Sequence, residues 1–360
     1  MNGIHRLAIF ALLILSTVIP ASAKTKRKHS PPPASRAEIE AATRLQVFLD
    51  RANFTPGRID GRYNDFTRKA LALYRQSRGE QPQVAPSRPA KQPNTAPDVN
   101  GLDLASIEPV FLSYSVTDAD LENVGKLPHG VAEKAKLKFL PYRSAADAIA
   151  EKFHSDNHFL EQLNPGKLKG IKAGDQLTVP NVEPFELRSV KAIEPGSETS
   201  PQAANEMEYQ PEKQGPTPGE NSGPPRNVAI KIDTKTNMLG VFENEKLIAA
   251  YPVTVGSEHT ASPIGEWKMM RITKMPFFRY DKEMLQHGER SGNFYNLPPG
   301  PRNPVGVMWI ALNKKGIGIH GTNDPDSIGH AVSHGCIRLA NWDVVRLATK
   351  IKQGDNVSIH

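Results

Sequence analysis

The spacing of apolar positions changes along this chain, and each change marks a different kind of element. Between residues 36 and 79, Ile39, Ala42, Leu45, Phe48, Leu49 and Ala52 recur at helical intervals, which predicts an amphipathic helix. The run Pro56-Gly57-Arg58-Ile59-Asp60-Gly61 breaks it, and Thr67 to Gln76 predicts a second helix with Leu71 and Tyr74 on one face. Residues 111–182 mix periods. Ser113 to Thr117 alternates as a strand does, Ala145–Phe153 and Phe159–Leu163 read as short helices, and Asn164-Pro165-Gly166 is a turn. The stretch from Lys172 to Pro180 closes with another strand. From residue 227 onward the period is two. Val228–Ile232, Met238–Phe242, Leu247–Thr254, Trp267–Ile272, Val307–Leu312 and Ile317–Ile319 predict short strands joined by Gly/Pro turns. Near the end, Asn341 is placed to cap a helix running to Lys352, with Trp342, Val345 and Ala348 on one side and Gly354 as its stop. Val357 and Ile359 predict a last strand.

Residues 80–110 and 183–226 contain the stretches without such periodicity, rich in Pro, Gln, Ser, Gly and Asn, which is linker chemistry. The fold class this implies is multidomain α+β. A small helical module (36–79) and a small βααβ-like module (111–182) precede a mainly β domain (227–360). The first residues have another role. His5 and Arg6 precede the apolar run Leu7–Ile19, and Pro20-Ala21-Ser22-Ala23 supplies a small-x-small end, so residues 1–23 read as a secretory signal peptide cleaved after Ala23. That run is shorter than the about 20 residues a membrane span needs. No later segment is apolar enough to span, and no cysteine follows the run to carry a lipid, so no transmembrane anchor is expected. The formal net charge of +7 favours anionic surroundings such as a cell envelope. Its Lys and Arg residues are scattered without a nucleic-acid-binding motif, so no nucleic acid partner is expected.

The chain has one cysteine, Cys336. A secreted protein ordinarily uses cysteines in pairs, so a lone one is either a small buried hydrophobe or a reactive thiol. Its neighbours are Ile319-His320-Gly321-Thr322 and Ser333-His334-Gly335-Cys336-Ile337-Arg338. A thiol becomes a useful nucleophile at neutral pH when something favours its thiolate. A nearby imidazole takes that proton and later returns it to a leaving amine. Gly335 gives close access to backbone N–H groups for a developing oxyanion. The cluster therefore points to acyl transfer or amide cleavage through a thioester. A zinc site built on His320, His334 and Cys336 is the rival reading, but the motif lacks a Glu to act as base. The remaining histidines, among them His259, His287 and His330, are expected at the surface or in loops. The long stretch 275–304 carries Phe277, Phe278, Tyr280, Phe294 and Tyr295, and reads as an aromatic-bearing loop of the kind that covers a site.

These motifs carry a resemblance. YPVTVG, SPIGEW, LPPGPRNPVG, GIHGTN and SHGCIRL follow one another between residues 227 and 360, an order similar to that of the L,D-transpeptidase catalytic domain. Ser262 stands where that family usually has Thr, and Arg338 replaces the Asn of some branches. The resemblance implies that Cys336 is the nucleophile and His320 the principal base. The Gly321 carbonyl would hold the imidazole in its working tautomer, and His334 would order the site. Arg338 is either a clamp for a substrate carboxylate or an Arg salt-bridged within the fold. Implied partners are peptidoglycan stem peptides and glycan, with an envelope lipoprotein as an alternative acceptor and carbapenems as inhibitors. No metal or organic cofactor is implied. Leu45-Gln46, the Pro56-Gly57 pair, Asp60-Gly61, Thr67 and Ala70-Leu71 resemble a peptidoglycan-binding module. LNPG followed by IKAGDQLTVPN resembles a LysM glycan-binding unit, although Asp118 to Tyr142 inserts more than a short loop. With the signal peptide, this implies a periplasmic or secreted, cell-wall-associated location.

Overall fold

The first predicted helix spans Arg36–Arg51, opened by a capping box in which Ser35 and Glu38 satisfy each other's backbone N–H groups. The structure, a computed structural model, describes residues 34–80, 95–192, 227–256, 260–329 and 335–360. The expected signal peptide, His259, His330 and His334 lie outside the described residues. The second helix, Asp65–Ser77, begins two residues before Thr67 because the Asn64 side chain accepts the Thr67 N–H at 2.8 Å and fixes the start there.

In the middle of the chain, strand β1 (Phe111–Ser115) pairs antiparallel with β2 (Gln176–Pro180). The helices Ala145–Lys152 and Asn157–Leu163 lie between them in sequence, and Ile149, Phe153, Phe159 and Leu160 join Leu177 and Val179 in one core. Val47 and Ile59, from the first helical segment, are buried in the same core. Each such side chain contributes about 1.5–3 kcal/mol on full burial, so the two segments stabilise one another. The segment 118–142 forms two short helices, Asp118–Leu121 and Val131–Ala135.

The mainly β part contains strands β3 (Val228–Asp233), β4 (Met238–Glu243), β5 (Lys246–Pro252), β6 (Gly265–Lys274), β7 (Phe278–Asp281), β8 (Phe294–Leu297), β9 (Met308–Leu312), β10 (Gly318–His320), β11 (Ile337–Arg338) and β12 (Asn356–Ile359). Eight of them form one sheet in the order β11-β10-β9-β6-β12-β3-β4-β5. The alternation read from the sequence decides which face is inside. Val228, Ile230 and Ile232 of β3 are buried, while Ala229, Lys231 and Asp233 between them are not. Phe185, Leu187 and Val190, from the end of the middle segment, are buried in the core of this sheet.

Three expectations require correction. The stretch 275–304 is not an open loop. It folds into a β7/β8 hairpin, Tyr280 opposite Tyr295, with a short helix Lys282–His287 at its tip. Asp281 holds that tip by accepting from the Ser291 N–H (2.8 Å) and hydroxyl (2.9 Å) and from the Met284 N–H (3.3 Å). Asn341 does not cap the last helix. The helix spans Asn341–Ala348 with Ala340 at the cap, and the Asn341 side chain is drawn inward to accept from the Val307 N–H at 3.2 Å. Finally, not every remaining histidine is at the surface. His154 is 1% exposed, donates from Nδ1 to the Asp50 carboxylate at 3.0 Å, and stacks on Trp342 with ring centroids 5.0 Å apart.

That His154 contact is part of a charged junction. Asp50 comes from the first helix, His154 from the middle segment, and Arg346, 3.0 Å from Asp50, from the last helix. Burial pushes the Asp50 carboxyl up, but Arg346 and His154 outweigh it and hold the group far below the usual carboxylate range. Residues 34–360 form a single compact unit.

Candidate active site

The site is a row across the sheet. β10 lies between β9, antiparallel to it, and β11, parallel to it, and the register sets His320 opposite Trp309 on one side and Arg338 on the other. Directly opposed residues share a sheet face, so Trp309, His320 and Arg338 project the same way. Cys336 lies two residues before Arg338, immediately ahead of β11. The pairing of these two very short strands, β10 and β11, sets His320 beside Arg338, two residues after Cys336. Gly335, at φ +102°, supplies a left-handed turn into the cysteine that a side chain would strain.

His320 is 4% exposed. Its ring stacks on Trp309, with centroids 5.3 Å apart and planes 16° from parallel. Nδ1 lies 2.6 Å from the Gly321 carbonyl. A carbonyl only accepts, so Nδ1 carries the proton and Nε2 is left as the acceptor. Burial and the positive charge of Arg338 lower the imidazolium pKa to about 3, against a smaller upward pull from the Gly321 bond. The ring is therefore neutral at every physiological pH, as a base must be. Cys336 is half-buried, and its thiol lies 3.5 Å from the Gly316 carbonyl.

Arg338 is anchored through its backbone, which exchanges two 2.9 Å hydrogen bonds with Thr254. Burial lowers its guanidinium below the ordinary value while Cys336 and Asp324 pull it up. Among the described residues its side chain makes no ion pair. Also among the described residues, no group of three His, Cys, Asp or Glu is placed to hold a metal ion.

Sequence reasoning missed the support beneath this row. Arg302 lies inside the LPPGPRNPVG stretch and is 3% exposed, with ion pairs to Asp147 and Glu151 of the middle segment. Only its chemistry could have drawn attention: a charge among prolines and glycines in an otherwise apolar run. Trp309 was hidden as one more apolar position of a strand.

A family profile described as the L,D-transpeptidase catalytic domain (YkuD) matches residues 227–359. A protein of Bacillus licheniformis named L,D-transpeptidase YkuD is 36% identical over 214 residues, 59% of this chain and 92% of the relative. Its namesake in Bacillus subtilis is 27% identical over 215 residues, again 59% and 92% of the two chains. Both matches are longer than residues 227–360, so the likeness reaches upstream into the middle segment. The solved structure of L,D-transpeptidase 3 of Mycobacterium tuberculosis with a faropenem-derived adduct superposes with a TM-score of 0.32 at 15% identity, covering 38% of this chain and 60% of that one. This superposition is too loose to transfer any residue's role.

Proposed function

This chain belongs to the L,D-transpeptidase family, and on that premise we propose that it is a cysteine acyltransferase that cross-links peptidoglycan. The observation that carries the reading is the neutral, carbonyl-anchored His320 directly opposite Arg338, with Cys336 two residues before Arg338 in the chain. Cys336 Sγ attacks the carbonyl that precedes the terminal D-alanine of a tetrapeptide stem. The thiol proton passes to His320 Nε2, since Nδ1 is occupied, and then to the nitrogen of the departing D-alanine as the C–N bond breaks. A thioester remains. An acceptor amine, typically of a diamino acid on a neighbouring stem, gives its proton to Nε2 and displaces the thiolate, forming a 3→3 cross-link. A lipoprotein lysine could serve as the same kind of acceptor.

Arg338 clamps the carboxylate of the terminal D-alanine, which sits one carbon from the scissile nitrogen. Its lack of an ion pair among the described residues supports that role. The arriving carboxylate also cancels part of the charge that depresses His320, so substrate makes the base stronger when it is needed. The β7/β8 hairpin covers the donor, and His334 orders the site. The helical segment 36–79 and the unit 111–182 hold wall polymer, and the enzyme works outside the cytoplasm, facing the wall after loss of residues 1–23. Carbapenems, whose strained lactam presents an equivalent carbonyl, acylate the same thiol.

Incubation with a purified tetrapeptide muropeptide, followed by mass spectrometry, tests the reaction. The expected products are a cross-linked dimer and free D-alanine. A trimmed tripeptide without dimer would replace transfer by hydrolysis, and unchanged muropeptide would overturn the proposal.

A further inference from the structure

We propose that Glu151, which lies outside the catalytic domain, is a positioning residue for His320, acting through Asn341 and the Gly321 carbonyl. The inference rests on the reading of His320 as base. Its evidence is a continuous buried path. Gly321, whose carbonyl orients the imidazole, is packed against Asn341 so closely that a Cβ there would lie 2.2 Å from Asn341 Oδ1. Gly306 is pressed into the same place, and a Cβ on it would lie 2.2 Å from the same oxygen and 2.6 Å from the Gly321 backbone. Asn341 Oδ1 also accepts from the Val307 N–H at 3.2 Å. The amide oxygen of one side chain therefore fixes the floor beneath the base.

What fixes Asn341 is Glu151. The Asn341 Nδ2 donates to Glu151 Oε1 at 2.5 Å and, less closely, to the Pro301 carbonyl at 3.3 Å. The first bond determines which way the amide faces, because a flipped amide would set oxygen against oxygen. Glu151 is held in turn by Arg302, whose Nη1 lies 2.9 Å from Oε2, close as an ion pair though not aligned as a hydrogen bond. The same Nη1 reaches the Asn323 carbonyl at 3.4 Å, on the segment that follows Gly321. Asn341 is fully buried, and Glu151 and Arg302 are 2% and 3% exposed. A carboxylate in such a place is costly unless its partners are fixed, and an apolar residue would fill the space more cheaply. The orientation it imposes on Asn341 gives that buried carboxylate a task.

The helix that carries Glu151, Ala145–Lys152, belongs to the segment resembling a glycan-binding unit. The geometry gives that helix a second task, completing the catalytic frame, and predicts that residues 227–360 alone lack a fully ordered base.

The test uses the full chain and two readouts, the acylation rate of Cys336 and the tautomer of His320 from the ¹⁵N shifts of labelled histidine. A structural contact with no bearing on the base would leave the tautomer unmoved. In Glu151→Met, we expect the Nδ1–H form of His320 to give way to a mixture of tautomers. The maximal rate should fall by about 10–100-fold, the scale expected when a catalytic group is displaced by an ångström or less, with KM little changed. Glu151→Gln keeps an oxygen for Asn341 but sets its NH2 against Arg302, so it should restore the tautomer and the rate in part. A folded Glu151→Met with the wild-type tautomer, or with a raised KM alone, overturns the proposal. If Glu151→Met does not fold, Asn341→Ala breaks the same path one step closer to Gly321, and an unchanged tautomer there overturns it equally. His320→Ala, measured alongside, separates the two readings. If it keeps its rate, the assignment of the base fails, while the tautomer in the Glu151 variants still decides whether Glu151 positions the ring.

Discussion

Replacing His320 with alanine is expected to slow acylation of Cys336 by roughly 10²–10⁴-fold, the loss that follows removal of a positioned general base. The same substitution at His334 should cost less, since ordering the site is a smaller task than moving a proton. Rates for both variants, with circular dichroism as the check on folding, decide the matter. A folded His320→Ala enzyme that keeps its rate while His334→Ala loses it reverses the assignment. The pH profile adds a second arm. Because the folded pKa of His320 is lowered to about 3, the free imidazole stays neutral from pH 7.5 down past pH 5. The acylation rate of the wild-type enzyme should therefore show no inflection near 6.5, where an unperturbed histidine titrates. An inflection there that disappears in His320→Ala would mean that the ring is far less buried than its surroundings indicate.

The junction of the three segments should carry the largest single effect on stability. Arg346→Met leaves Asp50 as a fully buried charge with only His154 to face it. Stranding a buried carboxylate in this way costs about 3–5 kcal/mol, and the lower end is expected because the Arg346 side chain is 16% exposed. Adding Asp50→Asn removes the stranded charge and should recover a large part of the loss. Urea unfolding of the single and double variants measures both quantities. If Arg346→Met unfolds at the wild-type midpoint, the three segments are not held together through this junction.

Much of the catalytic part was legible in the chain. Val228, Ile230 and Ile232 alternate, and they are the inward residues of β3. The family resemblance implied the Gly321 carbonyl as the partner of the His320 ring, and Nδ1 lies 2.6 Å from that carbonyl. What remained hidden depended on contacts between residues far apart in sequence. Asn341 follows Ala340 and precedes an apolar run, so local rules make it a cap. Val307 and Glu151 claim its side chain instead, and the helix starts on Ala340. His154 reads as a polar residue between short helices, yet Asp50 and Trp342 enclose it. The hairpin at 278–297 was obscured because its aromatic and charged residues do not alternate in polarity. Arg279 lies over the Phe294 ring with 3.6 Å between guanidinium carbon and ring centroid, a pairing that no period reveals.

The most direct test of the account is the identity of the acylated atom. The purified enzyme is treated with a carbapenem, its intact mass is recorded, and the modified peptide is sequenced. The wild-type chain should gain one drug equivalent, on Cys336, and Cys336→Ser should carry no lasting adduct. A stable adduct on the Cys336→Ser chain, or on any other residue of the wild type, would contradict the central claim.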